Sequence, residues 1–433
     1  MRANTGSAKL FLSFVFILTV SILCAAFFGC DQPSLIESNP GESDPKIQTS
    51  DLMRGINPSP AAAVELDDRF RTAAANFSLD LFRASLSNKE NSLISPASVL
   101  LALAMAANGA DGNTLTQMER VIGGGMSIAE LNAYLYSFVN GLASRPKESL
   151  DISNSIWFRN FGFTPNRGFL QTNADYFGAD AFAAPFDNQT VNDINTWISE
   201  ATDGLIKQML DKIPEEAVLY LINTVLFDAE WKYIYEDGNI SSGEFTNHNN
   251  QTQTAEFMRS SESLYIQGNG ATGFIKPYYS GRYSFAAILP DNNIFDFIAA
   301  LSGEDFLNLV RDAQPDRVRA ALPKFDYEYE VLMNDALKSM GMEDAFCEET
   351  ADLSRMGNWI YGDLFISNVM HKAKIAVDVR GTKAGAATVV EVSGPTSAPP
   401  PPRYVTLDRP FVFAIIDNTS NLPLFIGTLL SVP

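Results

Sequence analysis

Histidine and cysteine are scarce in this chain of 433 residues, which holds two of the first and three of the second. His248 and His371 stand far apart, and neither falls in a metal-ligating spacing such as H-E-x-x-H, so no metal site is expected. Cys24 and Cys30 both lie in an apolar N-terminal stretch. That leaves Cys347 alone in the body, without a disulfide partner once the stretch is removed. Its setting, Phe346-Cys347-Glu348-Glu349, is ill suited to a catalytic thiolate, so a structural or incidental cysteine is the reading. A G-x-S-x-G elbow is missing as well. Lys and Arg number 31 against 51 Asp and Glu, a net charge of −20, and such a surface repels nucleic acid.

Two apparent motifs carry no chemistry. Gly268-Asn269-Gly270-Ala271-Thr272-Gly273 matches a dinucleotide fingerprint as a string. A pyrophosphate needs a helix whose N-terminal amides face it. The residues that follow, Phe274-Ile275-Lys276-Pro277-Tyr278-Tyr279, read instead as an extended segment broken by proline, so the glycines form a loop between strands. Glu215-Glu216 and Glu348-Glu349 are adjacent, which sends their side chains apart, so paired acid-base work is not implied. No cofactor and no enzymatic activity are expected.

What is present is core. Hydrophobic residues make up 46% of the chain and aromatics 11%, enough for one large domain or two ordinary ones. Arg2 and Lys9 precede an uncharged apolar run over residues 10–29 that ends at Cys30, the pattern of an export signal. Gly29-Cys30 resembles a bacterial lipoprotein cleavage site, which makes Cys30 a lipidation candidate. The run is also long enough to span a bilayer uncleaved. Either way the folded part is exported, as a membrane-anchored lipoprotein or a secreted protein. Residues 31–60, rich in Ser, Pro and acidic side chains, read as a flexible linker, and residues 61–433 as one domain.

Within that domain residues 67–87 have the spacing of an amphipathic helix. Residues 99–107 are apolar on every side, with Ser95-Pro96 as N-cap and first turn and Asn108-Gly109 as the stop. Strands are expected over 218–227, 283–289, 318–329, 365–378, 411–416 and 424–430, giving an α+β protein. At period two, His371 shares a face with Phe365, Val369, Ala373, Ile375 and Val377, opposite Lys372, Lys374 and Asp378. It is therefore expected to be buried and hydrogen-bonded.

Five blocks, in order, carry a family likeness. They are Asn91-Ser92-Leu93-Ile94-Ser95-Pro96-Ala97-Ser98-Val99-Leu100; Leu221-Ile222-Asn223-Thr224-Val225-Leu226-Phe227 with Trp231; Leu322-Pro323-Lys324-Phe325; Met340-Gly341-Met342-Glu343-Asp344-Ala345-Phe346; and Asp408-Arg409-Pro410-Phe411-Val412-Phe413 with Pro423-Leu424-Phe425-Ile426-Gly427. Through them the chain resembles the serpins over nearly all of residues 61–433. The likeness implies a large central β-sheet with flanking helices and an exposed C-terminal reactive loop, here about residues 380–403. It implies a shutter of Ser95, Ser98, Asn223 and His371 that lets the sheet open, and a breach at Trp231 where insertion begins. It implies a monomeric inhibitor of a serine protease, acting by loop cleavage, acyl-enzyme formation and insertion of the hinge into the sheet.

The hinge is Gly381, Thr382, Ala384, Ala386, Ala387 and Thr388. Its even-numbered positions, continuing to Val390 and Val392, are small or β-branched throughout, as a strand with one buried side requires. Val379 and Arg380 stand where the family usually carries an acidic residue two before the glycine; Asp378 lies one position earlier. Beyond the hinge, Pro399-Pro400-Pro401-Pro402 favour an exposed, stiff segment suited to display. Family spacing puts the scissile bond between Pro395 and Thr396. Proline is a poor residue before a cut, so Gly394, Pro395, Thr396, Ser397 and Ala398 are all candidates, favouring elastase-like or subtilisin-like proteases. A non-inhibitory serpin, serving as binding protein or protease substrate, and an inhibitor of cysteine proteases are the alternatives.

Overall fold

The computed structural model describes residues 48–142, 144–382 and 401–433. Cys30, the hinge positions Ala384, Ala386, Ala387 and Thr388, and the scissile candidates Gly394, Pro395, Thr396, Ser397 and Ala398 lie outside the described residues.

Two large sheets carry the fold. The central one has seven strands in the order β1 (Ser50–Asp51), β5 (Asp180–Ala184), β3 (Glu148–Arg159), β6 (Leu219–Glu230), β15 (Gly381–Thr382), β14 (Asn368–Val377) and β12 (Phe325–Leu332). The second runs β16 (Arg403–Thr406), β11 (Gln314–Pro323), β8 (Thr252–Gly268), β9 (Ala271–Pro277), β10 (Tyr283–Pro290), β17 (Phe411–Asp417), β18 (Pro423–Leu429) and β2 (Leu93–Ile94), with β7 (Ile240–Thr246) paired to β8. A ribbon of β4 (Phe163–Pro165) and β13 (Gly357–Trp359) stands apart from both. The mixed α+β architecture expected from the sequence is the one adopted.

Helix α1 (Asp68–Ala84) starts where Asp67 accepts from the Phe70 amide, and it buries Phe70, Phe77 and Leu81. Helix α2 (Pro96–Ala107) is buried at every position, as its uniformly apolar sequence requires, and it packs against β3, β6 and β18. Pro96 takes the first turn, but the Ser95 side chain makes no capping bond. The helix stops at Asn108, and at Gly109 an added Cβ would meet Met356 at 2.0 Å. No helix among the described residues is long and apolar enough to cross a membrane.

Three expectations need adjusting. The single strand expected over 318–329 is two strands in different sheets: β11 ends at Pro323, which has no amide to donate, and β12 begins at Phe325. Ordered chain starts before Ala61, because β1 pairs with β5, the Leu52 amide donates to Ala181 O at 2.8 Å, and Met53 and Ile56 pack on the core. Those few apolar residues in a polar stretch suffice to seat it. The strand expected from 365 starts at Asn368, while its alternation holds: Val369, His371, Ala373, Ile375 and Val377 are buried, and the residues between them are not.

The glycine-rich string is a hairpin turn between β8 and β9, with Asn269 and Gly270 at φ +52° and +71°. No helix follows it, so there is no phosphate cradle.

Candidate functional site: the seam of the central sheet

Strands β6 and β14 lie side by side and parallel, but they pair directly only at one end, where Asn368 through His371 meet Tyr220 through Asn223. At the other end β15 sits between them, Gly381 opposite Glu230, and Thr382 opposite both Ala229 and Val377. The seam is therefore closed at one end and wedged at the other by two residues of the hinge.

The closed end is built around His371, which is fully buried. Its Nε2 accepts from the Ser95 amide at 3.0 Å, so the proton sits on Nδ1, which donates to Asn223 Oδ1 at 3.0 Å. Asn223 Nδ2 donates in turn to Ser98 O at 2.7 Å and to Asn154 Oδ1 at 2.6 Å. The four positions expected as a shutter are thus brought together, but Ser95 and Ser98 take part through their backbones. Their buried hydroxyls, like that of Thr224, have no partner among the described residues.

Ser95 precedes the first turn of α2, so Nε2 faces the positive end of that helix, where a second ring proton would meet an amide proton. Burial pushes the His371 pKa down from its usual 6.5 to about 3. The unfolded chain thus takes up a proton below about pH 6.5 that the folded chain refuses until about pH 3. Stability should fall across that window as pH drops, by up to about 1.4 kcal/mol per pH unit. Urea midpoints measured against pH should show this slope, and His371→Gln should flatten it; equal slopes would contradict the assignment.

The wedged end is a tight turn held from several sides. Asp378 accepts through Oδ1 from the amides of Arg380 (2.8 Å) and Gly381 (3.2 Å), and its own amide donates to Gly381 O at 3.0 Å. Trp231 Nε1 donates to Asp378 O at 2.9 Å, and the Trp231 and Tyr235 amides donate to Arg380 O and Val379 O. Val379 and Arg380 are held in this turn through their backbone groups, and the half-buried Val379 side chain also packs on the core, which an acidic residue at that position could not do. Gly381 is required: a Cβ there would meet Ala229 O at 2.0 Å. Thr382, 3% exposed, shares a hydrogen bond of 2.7 Å with the Tyr278 hydroxyl, and the Tyr278 ring stacks on Trp231 at 4.5 Å. Burial raises the Tyr278 pKa, keeping it a neutral phenol.

Beneath the turn lies a buried ion pair. Lys276 Nζ is 3.0 Å from Glu262 Oε1, donates to Tyr233 O at 3.1 Å, and stands 4.3 Å from the Tyr235 ring centroid and 5.3 Å from that of Trp231. Burial pulls the Lys276 pKa down while Glu262 pushes it back up. Sequence reasoning missed Tyr278, Lys276 and Glu262. Lys276 lies within an otherwise apolar stretch, Gly273-Phe274-Ile275-Lys276-Pro277, and a charge there was the available signal.

This geometry comes with matches to known proteins. The family model for serpin, serine protease inhibitor, matches residues 72–432. The chain belongs to the serpin family. The crystal structure of tengpin, a thermophilic serpin, in its native state superposes with a TM-score of 0.85 at 48% identity, covering 89% of this chain and all of that one. Tengpin in its latent state gives 0.77 at 49% identity over 86% of this chain and all of that one. Human leukocyte elastase inhibitor is 27% identical over 83% of this chain and 98% of its own length. Serpins are in general protease inhibitors, not enzymes, and the two-sheet architecture described above is the serpin fold.

Proposed function

We propose that this serpin inhibits serine proteases by a suicide mechanism, in which cleavage of the 380–403 loop frees the hinge to enter the seam between β6 and β14. The observation that carries this reading is the register at Thr382. Continuing it sets Ala384 opposite Phe227 and Ile375, Ala386 opposite Val225 and Ala373, and Thr388 opposite Asn223 and His371. Every facing residue is at most 6% exposed, so the small even-numbered side chains of the hinge suit the space. Insertion that far reaches the β6–β14 pairs, and His371–Asn223 is the first of them that it must part.

The driving force is main-chain pairing plus burial. About a dozen residues, each gaining roughly 0.5–1.5 kcal/mol of net hydrogen bonding, compare with a usual domain stability of 5–15 kcal/mol. A protease still held as acyl-enzyme on the moving strand would have its oxyanion hole distorted, and deacylation would stop. The chain itself supplies no catalytic group. A cut between Gly394 and Ala398 favours proteases that accept small residues, elastase-like or subtilisin-like. At the other terminus, residues 1–30 are read as an export signal that leaves the body outside the cytoplasm, either held to a membrane through a lipidated Cys30 or the uncleaved apolar run, or secreted.

The test is to incubate the purified protein with a panel of serine proteases and resolve the products under denaturing conditions. A covalent complex and a cut between Gly394 and Ala398, read by mass spectrometry, are expected. Loop cleavage with no complex and full recovery of protease activity would leave a serpin that serves those enzymes as substrate.

A further inference from the structure

At the end of the central sheet away from the hinge, two turns hold aromatic side chains out in solvent. β3 runs into Asn160-Phe161-Gly162, and β13 runs into Ile360-Tyr361-Gly362. Phe161 is 60% exposed, Ile360 66% and Tyr361 53%. Single exposed hydrophobic residues need no explanation, but a rigid cluster does. Here the Phe161 and Tyr361 rings stack at 5.2 Å, Trp359 Nε1 donates to Phe161 O at 3.0 Å, and the Ile360 amide donates to Gly162 O at 3.1 Å. Gly162, at φ +78°, leaves no room for a Cβ, which would come within 2.6 Å of Ile360. Neither residues 160–162 nor residues 357–362 include a charged side chain, in a chain of net charge −20.

The described chain begins at the same pole. β5 runs parallel to β3, with Ala184 opposite Arg159, and the Asn160 amide donates to Ala184 O at 2.9 Å. β1 is antiparallel to β5, with Ser50 opposite Ala183, so the chain arrives at Thr49 beside the turn that carries Phe161. Phe158 pairs with Leu219 at the start of β6, whereas Gly381 pairs with Glu230 at its end. The aromatic knob and the hinge thus lie at opposite poles. From Cys30 to Thr49 the chain can reach at most roughly 65 Å fully extended, so an anchored body stays within that distance of the membrane surface.

We propose that this knob seats in the interfacial layer of the bilayer that anchors the chain, with Phe161, Trp359, Ile360 and Tyr361 at the headgroup boundary and the hinge pole facing away. The proposal rests on reading residues 1–30 as a membrane anchor. Tryptophan and tyrosine favour that boundary, where an amphipathic ring meets both phases, and an uncharged tip can enter it without desolvating an ion. The acidic remainder of the surface selects a zwitterionic leaflet over an anionic one. Four side chains bind weakly by themselves; tethering supplies the high local concentration that makes the contact persist. The bait would then be presented outward, to proteases arriving from solution.

The test uses the full chain reconstituted in phosphatidylcholine vesicles, with and without bromine on the acyl chains. Co-flotation with vesicles reports the anchor, and tryptophan quenching by bromine in a Trp197→Phe background reports the knob, since Trp157 and Trp231 are buried while Trp197 is half-buried. Quenching is expected in that background, several-fold less once Trp359→Phe is added, and again once Phe161→Ser/Ile360→Ser/Tyr361→Ser is added in a variant whose thermal melt matches its parent. A chain that does not float overturns the anchor and the docking together. A chain that floats with Trp359 unquenched overturns the docking alone. Should the unquenched protein also self-associate in solution, and lose this in the triple variant, the knob is a protein contact instead.

Discussion

A carboxylate placed at Ala386 is expected to turn the protein from a trap into a substrate, with the yield of covalent protease complex falling at least about 100-fold. Ala386 lies outside the described residues, and its side is read from the ladder at Thr382, which sits opposite Val377 and Ala229 on the buried face. Two residues per repeat bring position 386 between Val225 and Ala373, 3% and 0% exposed. An unpaired charge buried there costs several kcal/mol, and each 1.4 kcal/mol is a factor of ten in the competition between insertion and deacylation. Ala386→Glu should therefore still be cut in the 394–398 stretch while the protease walks free. Gly385→Glu, one residue away on the opposite face, should keep most of its complex. Equal complex yields for Ala386→Glu and the wild type would mean that the hinge does not enter in this register.

Removing one partner of the Lys276–Glu262 pair should destabilise the native protein by about 3–5 kcal/mol, the usual cost of a stranded buried charge. Lys276 and Glu262 side chains are 2% and 4% exposed. Lys276→Met leaves the Glu262 carboxylate without its cation, and it also removes the ammonium that packs against the Tyr235 and Trp231 rings below the hinge turn. The double variant Lys276→Met/Glu262→Leu restores charge balance and should recover most of the loss, because apolar replacement of a buried pair is often close to neutral. Denaturant midpoints of the three proteins decide the matter. A Lys276→Met protein as stable as the wild type would show that the pair carries no such weight.

Both predictions turn on how much of the seam could be read before its partners were known. Period-two alternation placed His371 on the buried face of its strand, and the same arithmetic put the small side chains of the hinge on one side. Thr382, the one described inward hinge residue after Gly381, is buried as that arithmetic requires. The all-apolar run of α2 and its stop at Asn108-Gly109 were equally local and equally legible. Less legible was which atoms meet. Ser95 and Ser98 were expected in the shutter beside His371 and Asn223, and the ring of His371 and the amide of Asn223 bond to their backbones, not to their hydroxyls. Hydroxyl groups announce themselves in a sequence, whereas the unpaired backbone groups at a helix start are common to nearly every residue type.

Alternation and composition, then, determined by themselves which faces are buried and that the chain is α+β. These are properties of each residue and its near neighbours, which the chain order states directly. Tertiary structure alone decided that the ladder changes sheets at Lys324, that Ser50 and Asp51 join the edge of the central sheet, and that Lys276 finds Glu262. It also decided that Phe161 and Tyr361 stack beside the point where the chain enters the body. The physical reason is distance along the chain: each of these contacts is chosen by packing among segments far apart in sequence, and no local period records which of them will meet.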